Sequence, residues 1–194
     1  SFNWSNDTPA FVFENNLTNG SEKLVAEAIT HEAGHTLGLE HDGTTAGVEY
    51  YQGHGSGATG WAPIMGTGYY RELTQWSKGE YPNANNSEDD LSIITTRNGF
   101  GYRPDDRGDL LTAATALNPA GGSILAGEGI IERNTDRDYF SFATGAGSGV
   151  LTVEPFERGP NLDILATLYD HAGSVIATSS PATLLNASFQ VTLT

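Results

Sequence analysis

One stretch constrains this chain more than any other: His31-Glu32-Ala33-Gly34-His35-Thr36-Leu37-Gly38-Leu39-Glu40-His41-Asp42, of the form HExxHxxGxxH. His31 and His35 are four residues apart, so on a helix both imidazoles leave one face and can grip one ion. Glu32 sits beside them, placed to hold a water rather than the ion. Gly38 lets the chain leave the helix through a conformation that a side chain resists, and the turn returns His41 as a third ligand. Three protein nitrogens with one open position suit a catalytic zinc, whereas a structural zinc would be closed by a fourth ligand. Five such fixed positions coincide by chance on the order of once in ten million starts. A helix with incidental histidines is therefore a poor account of them.

Local residue choice supports a helix there. From Ser21 to about Leu37 the residues favour helix, with Leu24, Val25, Ala28 and Ile29 as a core-facing stripe running into the two histidines. Asn19 with Glu22 has the spacing of a capping box, and Ser21 is an alternative N-cap. The run Ala10-Phe11-Val12-Phe13-Glu14, after Pro9, has the apolar character of a buried strand. Residues 43–63, rich in Gly, Tyr and Thr, read as loop, and His54 within them as a solvated loop histidine. Ser87-Glu88-Asp89-Asp90 opens a second helix with a cap and an acidic first turn; Leu91, Ile93 and Ile94 are its apolar residues, and Asn98-Gly99 its C-cap.

The HExxHxxGxxH pattern resembles the signature of the metzincin zinc peptidases, and Asp42 after the third histidine resembles its adamalysin-type variant. Met65, the only methionine, lies in Ala62-Pro63-Ile64-Met65-Gly66-Thr67-Gly68-Tyr69-Tyr70. In light of that resemblance it looks like the Met-turn, which implies an apolar floor beneath the ligands. Some members carry a tyrosine two positions after that methionine; here that position is Thr67, which makes Tyr69 and Tyr70 the candidates for an oxyanion or substrate role. The resemblance also implies strands and a helix before the zinc helix, of which one strand is expected here. The chain is accordingly read as part of a longer secreted or cell-surface bacterial peptidase.

Beyond Pro104-Asp105-Asp106-Arg107-Gly108-Asp109, read as a linker, the pattern changes from helical to alternating. Strands are expected at 138–143, 149–154, 164–169, 174–178 and 188–194, with a hairpin turn at Asp170-His171-Ala172-Gly173. Short strands at that spacing argue for a β-sandwich. Arg137-Asp138-Tyr139-Phe140-Ser141-Phe142, Gly159-Pro160-Asn161-Leu162-Asp163 and Leu168-Tyr169-Asp170 resemble the bacterial pre-peptidase C-terminal domain. The expected class is α+β: a metzincin-like catalytic part over 1–104, then an all-β sandwich over 105–194.

Composition sets outer bounds. A net charge of −15 argues against nucleic-acid backbones and anionic lipid as partners. With no cysteine, disulfides and thiolate sites are excluded. No apolar run is long enough to span a membrane, and Ser1-Phe2-Asn3-Trp4 lacks the basic head and apolar core of a signal peptide. Asp105, Asp106, Asp109, Asp136 and Asp138 could bind calcium, an oxygen-seeking ion. They show neither EF-hand spacing nor a GGxGxD repeat, so solvated turns are the preferred reading and calcium a second candidate cofactor.

The expected chemistry is peptide hydrolysis, with zinc on His31, His35 and His41 and Glu32 as general base and then acid. The alternative is a module whose C-terminal part binds an extracellular polymer while the peptidase site is inactive. Retention of Glu32 beside all three histidines argues against that, because binding alone needs no base.

Overall fold

A computed structural model describes residues 9–193 and shows a mixed α+β chain with two α-helices and ten short strands among them. It divides into two compact units. The first runs up to Phe100 and also takes residues 152–166 and 179–187; the second takes 101–151, 167–178 and 188 onward. No helix among the described residues is long and apolar enough to cross a membrane.

In the first unit, helix α1 (Glu22–Thr36) carries the ligand motif. Ser21 is its N-cap by position, without a side-chain hydrogen bond. The capping box expected from Asn19 does not form, because Thr18, Asn19 and Gly20 all adopt positive φ and make a tight turn instead. The helix ends in a Schellman motif: Leu39 N–H donates to Gly34 O and Gly38 N–H to His35 O, with Gly38 at φ 93°. A Cβ on Gly38 would meet nothing, so the demand there is conformational rather than steric. Leu39, just past the reversal, is buried and begins the core.

That core contains Leu39, Ile64, Met65 and Ile93, with Trp76 and Ile94 packed against it. Strand β1 (Trp61–Pro63) runs parallel to β2 (Leu73–Gln75), with Ala62 opposite Thr74. Ile64 N–H donating to Gln75 O carries the pairing one residue on, directly before Met65. Helix α2 (Asp90–Arg97) begins two residues later than a cap at Ser87 would place it: Asp89 is the N-cap, accepting from Ser92 N–H at 2.9 Å. Asn98 closes it and donates from Nδ2 to both Ile93 O and Leu37 O, joining the C-terminal ends of α1 and α2.

Two further sequence expectations fail in this unit. Residues 10–13 form no strand: nothing among the described residues pairs with them, and Phe11 and Phe13 are exposed. A strand's backbone polar groups need a ladder partner, whatever the side chains favour. Ile29 is exposed as well, so the buried stripe of α1 is narrower than its apolar residues suggest.

The later residues form strands at each expected place: β6 (Phe140–Ser141), β7 (Gly147–Val153), β8 (Ala166–Tyr169), β9 (Val175–Ser179) and β10 (Ala187–Leu193). Pairing is two by two, β7 with β10 and β8 with β9, while β6 pairs in parallel with β3 (Thr115–Ala116). A hairpin not anticipated joins β4 (Asn118–Gly121) to β5 (Ile124–Ala126). The turn at 170–173 forms as expected: Asp170 Oδ1 accepts from Ala172 and Ser174 N–H. The terminal residue of the expected last strand, Thr194, lies outside the described residues.

Candidate metal centre and cleft

One turn of α1 separates His31 from His35, and their rings stand edge to face at 4.9 Å. The Schellman reversal brings His41 to 4.7 Å from His35 and 5.4 Å from His31, ring centre to ring centre. Each imidazole is oriented from behind. His31 Nδ1 lies 2.8 Å from Ile64 O, His35 Nδ1 2.9 Å from Leu39 O, and His41 Nδ1 3.2 Å from a Glu49 carboxylate oxygen. All three partners are acceptors, which assigns the proton to Nδ1 and leaves a lone pair on every Nε2. Burial lowers the pKa of both His31 and His41, and the neighbouring imidazoles add to it, so both rings are held neutral.

The three ligating nitrogens lie within 4.8 Å of one another. His35 Nε2 and His41 Nε2 approach to 2.9 Å. With both tautomers assigned as above, that contact sets lone pair against lone pair, an arrangement which a cation between them would turn from repulsive to attractive. Tetrahedral zinc at ordinary bond lengths would need about 3.3 Å between such nitrogens, a small spreading from the distance observed.

The floor of the site is built from small and buried residues. Gly34 lies on α1 between the two histidines and is the only buried residue of that helix. A side chain there would strike Met65 Sδ and Trp76. Met65 itself is fully buried, and its carbonyl accepts from Asp42 N–H at 2.9 Å. Asp42, one of the two acids flanking His41, reaches neither an imidazole nor solvent. It is 2% exposed, accepts Ser77 Oγ–H at 2.7 Å and faces the Tyr81 hydroxyl, anchoring the chain just after His41. Burial raises its pKa despite those donors. The other, Glu40, is exposed, and its N–H donates to Glu88.

A cleft of about 330 Å³ opens over the three histidines. Glu32 lines it, as does Tyr69, whose hydroxyl is kept protonated by burial and by the nearby Glu32 and Glu27 carboxylates. Tyr70 points away, 84% exposed. Of the two tyrosines singled out from the sequence, only Tyr69 reaches the cleft. Sequence reasoning missed Tyr50, which lines the cleft with its ring 4.4 Å from that of His41, and Glu49 behind the same histidine. Both sit in the irregular 43–63 stretch, where no period marks direction. His54 is exposed and pairs with Tyr51 at 3.1 Å, outside the metal group.

A second group lies within the second unit. Carboxylate oxygens of Asp105, Asp136 and Asp138 come within 4.8 Å of one another. One oxygen each of Asp136 and Asp138, and both of Glu132, are buried without a hydrogen-bond partner. Burial and the surrounding carboxylates push Asp138 up to about 6. Asp106 and Asp109 instead accept from the Ile130 and Arg137 N–H groups. Of the aromatic residues that could form a polymer-binding row, Phe156 is exposed while Tyr139, Phe140 and Phe142 are half-buried.

No protein-family model, curated protein or solved structure matches this chain.

Proposed function

We propose that the chain is a zinc-dependent endopeptidase of metzincin-like design, exported to the cell surface or beyond, with its later strands forming an accessory β-sandwich. The observation that supports this best is the convergence of three Nε2 atoms, each with its Nδ1 facing an acceptor, over a cleft that also holds Glu32. His31, His35 and His41 would hold the ion. When bound, zinc supplies Lewis acidity, which polarises a peptide carbonyl and brings the pKa of a water toward neutrality. Glu32 takes the proton of the attacking water and returns it to the leaving nitrogen. The Tyr69 hydroxyl, protonated throughout, offers a hydrogen bond to the oxyanion. Met65 and Gly34 keep the ligand-bearing turn of α1 seated.

The test is digestion of a diverse peptide mixture by the zinc-loaded chain, read by mass spectrometry, with Glu32→Ala and a chelated sample alongside. Cleavage lost in both controls is the expected result. Cleavage that survives Glu32→Ala would overturn the mechanism.

The carboxylates of Asp105, Asp136 and Asp138 form an all-oxygen donor set, and we propose calcium as its occupant, with the buried Glu132 carboxylate as a further candidate donor. The four buried, unpartnered oxygens favour this over the solvated-turn reading.

A further inference from the structure

We infer that Glu27 makes this cleft selective for peptides carrying a lysine or arginine side chain next to the scissile bond. The inference rests on the peptidase reading and goes beyond it in naming the substrate class.

Glu27 stands one helical turn before His31 and therefore on the same face of α1, about 6 Å along the axis. Its side chain is only 13% exposed, yet it lines the cleft. Apart from Glu32, it is the only charged side chain in the lining besides the ligand histidines, and no lysine or arginine is present there. The cleft thus has an acidic end, and the one cation near it, Lys23, stands outside the lining.

The carboxylate is held rather than free to swing. Oε1 accepts Thr74 Oγ1–H at 2.8 Å and lies 3.2 Å from Lys23 Nζ. Oε2 is turned the other way, toward Gly68. A Cβ at Gly68 would fall 3.0 Å from that oxygen and 2.5 Å from Thr74 Cγ2. Gly68 has no positive φ, so its backbone does not call for glycine; the space beside the carboxylate does. The Gly68 backbone therefore closes against the carboxylate and, with Thr74, fixes it where Glu27 lines the cleft.

Reach selects the kind of cation. An α-amine on the residue that bears the scissile carbonyl lies too close to the reacting centre to arrive one helical turn away. The long stem of a lysine or arginine covers that distance and lays its methylenes along Ala28 and Ile64, which also line the cleft. Lys23 reaches Oε1 from a position that is 34% exposed, so it competes only through a solvent-screened contact.

The experiment uses the zinc-loaded chain and N-terminally acetylated hydroxamate peptides, identical except for lysine, norleucine or glutamate placed on either side of the chelating group. Dissociation constants are measured by calorimetry, and cleavage of the matching peptides is followed in parallel. The lysine probe should bind about tenfold tighter in one of the two placements, with the ratio falling toward one in Glu27→Gln and inverting in favour of a glutamate probe in Glu27→Lys. Equal binding of lysine and norleucine, failure of both to bind, or a ratio unchanged in Glu27→Gln would overturn the inference. Selective binding without cleavage would sink the peptidase reading alone, and cleavage without selectivity would sink this inference alone.

Discussion

Gly34→Ala is the substitution whose outcome separates a packed floor from a mere helix position. By helix propensity it should help, by about 1 kcal/mol. Packing opposes it. The new methyl would overlap Met65 Sδ and lie 3.1 Å from Trp76 Cζ3 and 3.3 Å from Met65 Cε. Because Met65 has no exposed surface, its thioether can retreat only by displacing Leu39, Ile64 or Ile93. Overpacking of that kind costs about 1–3 kcal/mol, so after the propensity gain a net loss of up to about 2 kcal/mol is expected, and about 1 at the middle of that range. At this chain length that lowers Tm by about 2–4 °C per kcal/mol. Zinc affinity should fall too, since the displaced turn carries both His31 and His35. The assay is thermal unfolding and zinc titration of Gly34→Ala, Met65→Ala and the double variant. In the double variant the methyl has room, so its cost should vanish and the coupling should reach the full overpacking cost of about 1–3 kcal/mol. A Gly34→Ala protein as stable as the parent, or one equally destabilised with and without Met65, would refute the packing argument.

Three further outcomes follow from the same geometry. Glu49→Ala removes the acceptor behind His41; because the Glu49 side chain is 67% exposed, zinc affinity should fall by about tenfold, the low end for an orienting partner, and Glu49→Gln should restore most of it in a chelator competition assay. Asp90 is 1% exposed with one oxygen unpartnered, and burial raises its pKa from 3.8 to about 7. A raised pKa means the folded state holds the proton more tightly, so the stability Asp90 contributes is complete below about pH 4 and is lost as pH rises to about 7. Denaturant unfolding should show that decline flattened in Asp90→Asn, and an unchanged slope would refute it. Millimolar calcium should raise Tm, by about 2.7 kcal/mol of stability at a hundredfold excess over Kd, and the double change Asp136→Asn with Asp138→Asn should abolish the rise.

What could be read from the sequence was what depends on short spacing. His31 and His35 share a helix face by arithmetic, and Gly38 announces the reversal that delivers His41. What could not be read depends on closure between distant segments. Glu49 reaches His41 because the 43–50 turn folds back. Asp42 is buried by Ser77 and Tyr81, more than thirty residues away. Glu27 looks like any surface acid on a helix until Gly68 and Thr74 are set beside it. The failure at 10–13 has the same root, since an apolar run becomes a strand only when a neighbour supplies its hydrogen bonds.

Arg71 has a bearing on the protein's own survival. Its guanidinium donates to the carbonyls of Gln52 and Gly55, with Gly53 at 3.5 Å, in a stretch where Gly53 and Gly55 both have positive φ. Glycine-rich exposed segments are where proteolytic nicking concentrates, and a peptidase of the kind proposed would be surrounded by copies of itself. A chain must be drawn out straight to enter a cleft and be cut. Riveted at two carbonyls and coiled through two left-handed residues, the 52–55 segment resists that extension. On the peptidase reading, one arginine side chain would thus shield the segment that follows His41 from self-digestion.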